Sequence, residues 1–249
     1  MFIIGYYLGK EFNKANIVKK LKSSQELYNF TSYSQCYEDL ILFCIFYEIE
    51  NGFYIDVGAN DPNEISVTKA FYIRGWYGIN IEPLPDKYQE LTKHRLRDIN
   101  IKVGAGKKKG NESLFVNGVI STLSKEYSGN TSNIININID TMQNICKKYV
   151  PKKEIIQFCK IDVEGRERDV LIGYDFEKYR PKVFCIESTK PGTNIFSYDQ
   201  WEDILLQNDY SFAFQYMINR YYIDNRIKGL REKFIKAESI LKHYLKNNI

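Results

Sequence analysis

Residues 53–61 run Phe53-Tyr54-Ile55-Asp56-Val57-Gly58-Ala59-Asn60-Asp61. An apolar run holding one carboxylate, closed by a polar turn that carries a glycine, has no face reserved for water. It reads as a strand of a parallel sheet covered on both sides. The pattern recurs downstream. Residues 76–81 form an apolar run ending at Glu82, 155–161 one leading into Asp162-Val163-Glu164-Gly165, and 182–186 one ending at Glu187. Each delivers polar groups to its carboxyl end, where an open parallel sheet binds its ligands.

Helical patterns separate these runs. The spacing predicts helices over 34–50, with Glu38 and Asp39 early and Asn51-Gly52 as the stop, over 65–74 closed by Gly75, and over 86–96 after the turn made by Pro83 and Pro85. A third strand is expected over 99–105. Residues 106–139 are rich in Gly, Asn and Ser, with short β-like pieces at 114–116 and 134–139. Asp140 is expected to cap a helix to about 149, and Ser197 one to about 207. A further helix runs from Gly165 to about 172. Residues 210–217 and 220–223 read as an antiparallel hairpin. Strands alternating with helices define an α/β fold built on an open, doubly wound, mostly parallel sheet. The tail over 227–245 repeats Leu230, Phe234, Ile240, Leu241 and Tyr244 at helical spacing. Packing on the domain, pairing with a partner and leading toward further chain all stay open for it.

The chain has 249 residues, 44% hydrophobic and 27% charged, the balance of a soluble globular protein with one large core. We read it as a single domain over 1–249, with an N-terminal helical segment (1–50) over the site, a Rossmann-like core (51–225) and a C-terminal helix (226–249). The net charge of +4 is too diffuse for a nucleic-acid face. Lys107-Lys108-Lys109 reads as a solvated loop, with weak attraction to an anionic acceptor as the sharper alternative. Gly104-Ala105-Gly106-Lys107-Lys108-Lys109-Gly110 has glycine-loop spacing but opens no helix, and reads as a plain loop. Arg166-Glu167-Arg168-Asp169 reads as an exposed helix face.

The cysteines, Cys36, Cys44, Cys146, Cys159 and Cys185, are odd in number and form no CxxC pair, which points to a reducing compartment. His94 and His243 stand far apart without zinc spacing. The apolar start at residues 1–9 lacks the basic region and cleavage site of a signal peptide, and no run approaches transmembrane length. A cytoplasmic protein without stable membrane insertion is expected.

Gly58 lets a ligand approach the backbone without interference from a Cβ. Glu82 follows it by 24 residues, near the ~20 expected between a glycine turn and the acid that binds a ribose. A nicotinamide enzyme would use the same places, but its G-x-G-x-x-G fingerprint is missing, and Asp56 and Asp61 would repel a pyrophosphate. These carboxylates suit a ligand carrying an amino group and a sulfonium, which is S-adenosylmethionine. Asp162 and Glu164, two residues apart at a strand end, form a third site segment, joined by Glu187. Capping of the next helix is the plain alternative for the first two, and a salt bridge to Lys160 or Lys190 for Glu187. Their functional readings are a base for a hydroxyl, a contact to the cofactor's amino group, or ligation of a hard divalent cation; no metal site is assigned.

Taken in order, Tyr33-Ser34-Gln35 with Glu38-Asp39, the Gly52 to Pro62 segment, Ser66-Val67-Thr68, the Gly75 to Pro83 segment, Ser121-Thr122-Leu123, Lys160-Ile161-Asp162-Val163-Glu164-Gly165 and the Pro181 to Glu187 segment resemble the FkbM-type methyltransferases. The resemblance spans roughly 32–223. It implies a class I methyltransferase fold with a seven-stranded sheet, and O-methylation of a hydroxyl, commonly on a sugar. Asp56 and Gly58 would line the methionine part of the cofactor, Glu82 would bind its ribose, and Asp162 and Glu164 would sit near the transferring methyl. Gln35 and Glu38 would close over the site. Ala59, Asn60, Ser66, Pro83 and Gly104 complete the expected cofactor contacts. Two positions depart from the family pattern: Thr141-Met142-Gln143 stands where Thr-Leu-Asp is usual, and Lys107 where an Asp is usual.

The expected reaction is in-line attack of an acceptor oxygen on the cofactor's methyl, with Asp162 or Glu164 as base and Glu187 assisting. The expected acceptor is a small molecule, an activated or glycan-precursor sugar for bacterial surface polysaccharide. Aromatic residues, Tyr216, Tyr221 and Tyr222 among them, are candidates for sugar stacking. A homodimer is compatible with this reading. The alternatives are a non-catalytic S-adenosylmethionine-binding domain and an O-methyltransferase of a non-sugar small molecule.

Overall fold

The computed structural model describes residues 30–118 and 121–248, so the apolar start at residues 1–9 lies outside the described residues. The run that opens the reading forms β1 (Phe53–Val57), buried along its whole length. It is followed by β2 (Tyr77–Ile81), β3 (Ile99–Ile101), β4 (Gly104–Ala105), β5 (Gly110–Phe115), β6 (Ile134–Asp140), β7 (Ile156–Ile161), β8 (Val183–Glu187), β9 (Tyr210–Tyr216) and β10 (Asn219–Asp224). The helices are α1 (Glu38–Phe46), α2 (Lys69–Ile73), α3 (Pro85–His94), α4 (Met142–Tyr149), α5 (Glu167–Ile172), α6 (Glu202–Gln207) and α7 (Leu230–Asn248).

Seven strands make one mixed α/β sheet in the order β3-β2-β1-β7-β8-β10-β9. The neighbours from β3 to β8 are parallel, and β10 runs antiparallel to both β8 and β9. The chain thus builds outward from β1 in one direction, then returns to its other side with β7. Alternate residues of the central strands feed two cores. Tyr54, Phe158, Cys185 and Tyr221 pack with α1, α2 and α7, while Ile55, Cys159, Phe184 and Tyr222 pack with α4, α5 and α6. Helix α1 is buried all round, as the wholly apolar run from Leu40 to Phe46 after its first two acids requires. Leu230, Phe234, Ala237 and Leu241 of α7 join the first core, so the C-terminal helix packs on the sheet domain. All five cysteines are buried and unpaired.

Several boundaries differ from the sequence expectation. The helix expected over 34–50 begins only at Glu38 because Asp39 gathers the preceding turn: its carboxylate accepts from Ser32 Oγ (2.6 Å), the Tyr33 amide (2.7 Å) and Ser34 Oγ (2.7 Å). Tyr37 then takes a left-handed conformation at φ 58°. The strand expected over 99–105 splits. Its first half pairs with β2, and Gly104–Ala105 leaves to pair with β6 in a second sheet, β4-β6-β5, with its own small core of Leu114, Ile137 and Ile139. A Cβ at Gly104 would lie 2.6 Å from Ile139 Cδ1, so glycine leaves room for that side chain to pack over the crossing. The glycine-rich 104–110 stretch is strand and turn. Thr141, not Asp140, caps α4, accepting from the Asn144 amide. Ser197 makes no cap: a short 3-10 turn, Tyr198–Gln200, precedes α6.

A buried polar cluster fixes the loop after β1. Arg95, fully buried, donates to the Pro62 carbonyl (3.0 and 2.9 Å) and to Ser66 Oγ (2.8 Å), and pairs with Asp98 at 3.5 Å. Asp98 accepts from Tyr54 Oη (2.7 Å), the Gly78 amide (2.9 Å) and Asn80 Nδ2 (3.0 Å). Every charge in the cluster is paired and bonded, the condition under which buried ions are tolerated.

Candidate functional site

Four loops, those after β1, β2, β7 and β8, meet at the carboxyl ends of the strands around a cavity of about 390 Å³. That is within the ~300–1,000 Å³ usual for small-molecule sites. It opens where the strand order reverses between β1 and β7, the switch point of an open sheet.

The first loop is shaped by Gly58. Its φ is +78°, its amide donates to the Ile81 carbonyl (3.0 Å), and a Cβ there would fall 1.9 Å from the Asp162 carbonyl oxygen. Glycine therefore lets the loops after β1 and β7 lie against each other, a contact closed by the Asp162 amide donating to the Val57 carbonyl (3.0 Å). At the end of β2, Glu82 lines the cavity, and its oxygens accept from the Asn60 amide (2.8 Å) and the Leu84 amide (2.9 Å). Burial raises its carboxyl above the ordinary value, and those two amides work against the rise.

Lys160 forms the floor. It is buried at the end of β7, donates to the Gly58 carbonyl (3.0 Å), and lies 3.3 Å from Asp162 and 3.7 Å from Asp56. Burial works against its ammonium, but Asp162 and Asp56 outweigh it and raise its pKa. Asp56 accepts from Thr68 Oγ1 (3.0 Å) and stays behind this lysine. Burial raises its carboxyl, opposed first by Lys160.

The far wall is acidic. Asp162, Glu164 and Glu187 each place a carboxylate oxygen within 4.8 Å of the others. Burial pushes Glu164 up to about 8, with repulsion from Asp162 and Glu167 adding to it. Burial pushes Glu187 up to about 11, reinforced by Asp162 and Glu164. Neither plain alternative for these residues holds. Helix α5 is preceded by Arg166 with no side-chain cap, and Lys160 pairs with Asp56 and Asp162, leaving Glu187 with a bond from Thr189 Oγ1 (3.2 Å). Glu167 is not on an exposed face: it is buried and accepts from the Val163 and Gly165 amides (3.1 and 3.2 Å) through one oxygen. Arg168 does lie exposed, paired with Asp203.

Of the expected site residues, the structure brings Gln35, Gly58, Asn60, Glu82, Pro83, Gly104, Asp162, Glu164 and Glu187 to the cavity wall. Four do not line it. Glu38 is buried and holds the Cys36 amide (2.7 Å) and Asn219 Nδ2 (2.6 Å). Asp56 sits under Lys160, Ala59 donates its amide to Ile81, and Ser66 serves Arg95. Tyr221 and Tyr222 are fully buried in the cores, and no aromatic residue lines the cavity among the described residues. Its apolar side is aliphatic: Leu84, Val103, Leu114 and Leu123. Sequence reasoning missed Lys160 as a site residue. The available signal was a lysine inside an apolar strand, since a buried ammonium requires carboxylate partners.

A seven-stranded, mostly parallel sheet with its cleft at the reversal of strand order is compatible with the Rossmann-like methyltransferase fold. The family model for the methyltransferase FkbM domain matches residues 56–212, more than half of the chain, and the chain belongs to that family. No curated protein and no solved structure matches it. The family makes the protein a methyltransferase acting on a small-molecule acceptor. Among the described residues, no helix is long and apolar enough to cross a membrane.

Proposed function

We propose that the protein is an S-adenosylmethionine-dependent O-methyltransferase, with a doubly wound class I fold in a single domain over 1–249, that methylates a hydroxyl of an activated or glycan-precursor sugar in the cytoplasm, for surface polysaccharide. The observation that carries the reading is the pairing, across one cleft, of Glu82 at the end of β2 with the acidic wall of Asp162, Glu164 and Glu187.

The residues present fit the cofactor. Each oxygen of Glu82 takes one backbone N–H and keeps a lone pair, so the two hydroxyls of a ribose find acceptors there. Leu84, Val103 and Leu114 offer an aliphatic slot to an adenine ring. The glycine cradle at Gly58, floored by Lys160 and Asp162, suits the carboxylate and ammonium of the methionine part. When bound, S-adenosylmethionine supplies a methyl on a sulfonium, which passes to the acceptor oxygen as the carbon–sulfur electron pair returns to sulfur.

The chain's own groups take up the acceptor's proton. Glu164, pushed up to about 8, is a stronger base than an ordinary carboxylate and is matched to work near neutral pH. Asp162 is the other candidate base. Glu187 assists from the same wall, its carboxyl pushed up by burial and by the neighbouring Asp162 and Glu164. Gln35, Ser121, Thr193 and Asn194 in the cavity lining offer the donors and acceptors that a polyhydroxylated acceptor needs, in place of an aromatic platform. Holding the reactants in attack geometry supplies much of the acceleration.

The test is transfer of labelled methyl from S-adenosylmethionine to a panel of nucleotide-linked sugars. Glu164→Gln is expected to lose transfer while still binding S-adenosylhomocysteine, and Asp162→Asn to lose transfer with weaker binding of it. Unchanged turnover in both variants would remove these residues from the mechanism, and no binding of S-adenosylhomocysteine to the native protein would end the reading.

A further inference from the structure

We propose that Asp162, Glu164 and Glu187 form a binding site for one hard divalent cation on the acceptor side of the cleft. The cation's part in methyl transfer rests on the function proposed above; its binding does not.

Three carboxylates, two from the loop after β7 and one from the last residue of β8, present one oxygen each within 4.8 Å of one another, a spacing that lets all three reach a single ion. A cluster of acids alone does not make such a site. The second observation is Glu187, which is only 7% exposed and lines the cavity, yet its Oε2 has no hydrogen-bond partner. Its other oxygen takes just the Thr189 hydroxyl. Glu164 Oε2 is likewise buried and unpartnered. Buried carboxylate oxygens without donors are costly, and a ligand that supplies positive charge removes the cost.

The local charge balance requires more than the protein supplies. Lys160 is the cation in contact with the wall, and Asp56 and Asp162 share it, so none of its charge is left for Glu164 or Glu187. Four carboxylates, Asp56, Asp162, Glu164 and Glu187, thus stand around one ammonium, and a divalent ion supplies most of the missing positive charge. All-oxygen donors select a hard cation such as Mg²⁺, Mn²⁺ or Ca²⁺ over zinc, and no His or Cys joins the group. The triad stands at the ends of β7 and β8, whereas Glu82, the proposed ribose acid, ends β2 on the other side of β1. An ion there faces the acceptor. With three protein oxygens it keeps coordination positions for water or for an acceptor hydroxyl, whose proton it would make easier to lose.

The experiment is titration of chelator-treated native protein with Mn²⁺ alone, followed by the loss of the free-ion signal in electron paramagnetic resonance, with and without S-adenosylhomocysteine. One bound ion per chain is expected, with affinity lowered by about tenfold or more in Glu187→Gln and in Asp162→Asn and unchanged in Asp203→Asn, an exposed partner of Arg168 outside the cavity lining. Circular dichroism reports whether each variant is folded. No ion bound by the native protein at millimolar Mn²⁺, or binding that all three variants share unchanged, overturns the proposal. Failure of S-adenosylhomocysteine to bind, with Mn²⁺ bound as expected, sinks the methyl-transfer reading and leaves the cation site standing.

Discussion

Replacing Lys160 by methionine separates the floor of the cleft into its electrostatic parts. The side chain is one-tenth exposed, donates to the Gly58 carbonyl at 3.0 Å, and serves Asp56 and Asp162 at 3.7 and 3.3 Å. Methionine keeps the length and the apolar contacts, so the loss is that of the charge. Breaking a buried pair by removing one partner costs about 3–5 kcal/mol, because the other partner is left charged and uncompensated. For a chain of this size each kcal/mol lowers Tm by ~2–4 °C, so the expected fall is roughly 6–20 °C. Adding Asp56→Asn removes the stranded carboxylate and should restore much of it. The deficit should also depend on pH. Burial already holds the Asp56 carboxyl above its ordinary value, and the ammonium opposes that rise. Without the ammonium the folded-state pKa climbs further, so the folded variant binds more protons than the unfolded chain between the two values. Stability must then fall as pH rises through that window, and Lys160→Met should approach the native protein as pH drops from 7 toward 4. Urea denaturation at several pH values measures this. A variant within about 0.5 kcal/mol of native at pH 7, the range of an ordinary surface substitution, would refute the reasoning, as would a deficit that does not change with pH.

Other perturbations have equally definite outcomes. Gly58→Ala puts a Cβ into the Asp162 carbonyl and into a left-handed conformation that alone costs ~1–2 kcal/mol, so urea denaturation should show at least that loss and calorimetry weaker S-adenosylhomocysteine binding. Arg95→Met leaves Asp98 buried and unpaired, and should cost about 3–5 kcal/mol by the same denaturation. Phe158→Ala empties a site ringed by Phe46, Tyr54, Phe71 and Trp76, and should cost ~3–5 kcal/mol. Glu167 is pushed by burial to about 7, and a single oxygen accepts both of its backbone bonds. Glu167→Gln keeps that oxygen, so it should be neutral near pH 4, below the unfolded value, and stabilising by about 1–3 kcal/mol at pH 8, where the native carboxyl has had to ionise. Thermal melts at the two pH values check the sign.

The central strands were legible because they need nothing but local sequence: apolar runs closed by polar turns identify β1, β2, β7 and β8, and with them the sheet edge where polar groups collect. What was not legible depends on partners distant in the chain. The break between β3 and β4 follows from Gly104 meeting Ile139, a contact that no local pattern announces. Helix α1 was expected to begin earlier because nothing in the periodicity shows that Asp39 will hold Ser32, Tyr33 and Ser34 in a turn. In the site, Glu82, Asp162, Glu164 and Glu187 were identified from their positions at strand ends. Asp56 looked equivalent, but it stands one residue inside its strand, and the parallel register sets it beside Lys160, which covers it. A pairing across 104 residues of chain becomes visible only once the register is known.

The five buried thiols give this molecule an internal clock for opening. Burial pushes Cys36, Cys44 and Cys146 up to about 12, and holds Cys159 and Cys185 well above the ordinary thiol value. Only a thiolate attacks an alkylating reagent, so the closed fold is chemically silent toward iodoacetamide. Each adduct records one excursion that exposed its segment. Cys36 before α1, Cys146 in α4, and Cys159 and Cys185 on the central strands should be labelled in the order in which those regions come apart.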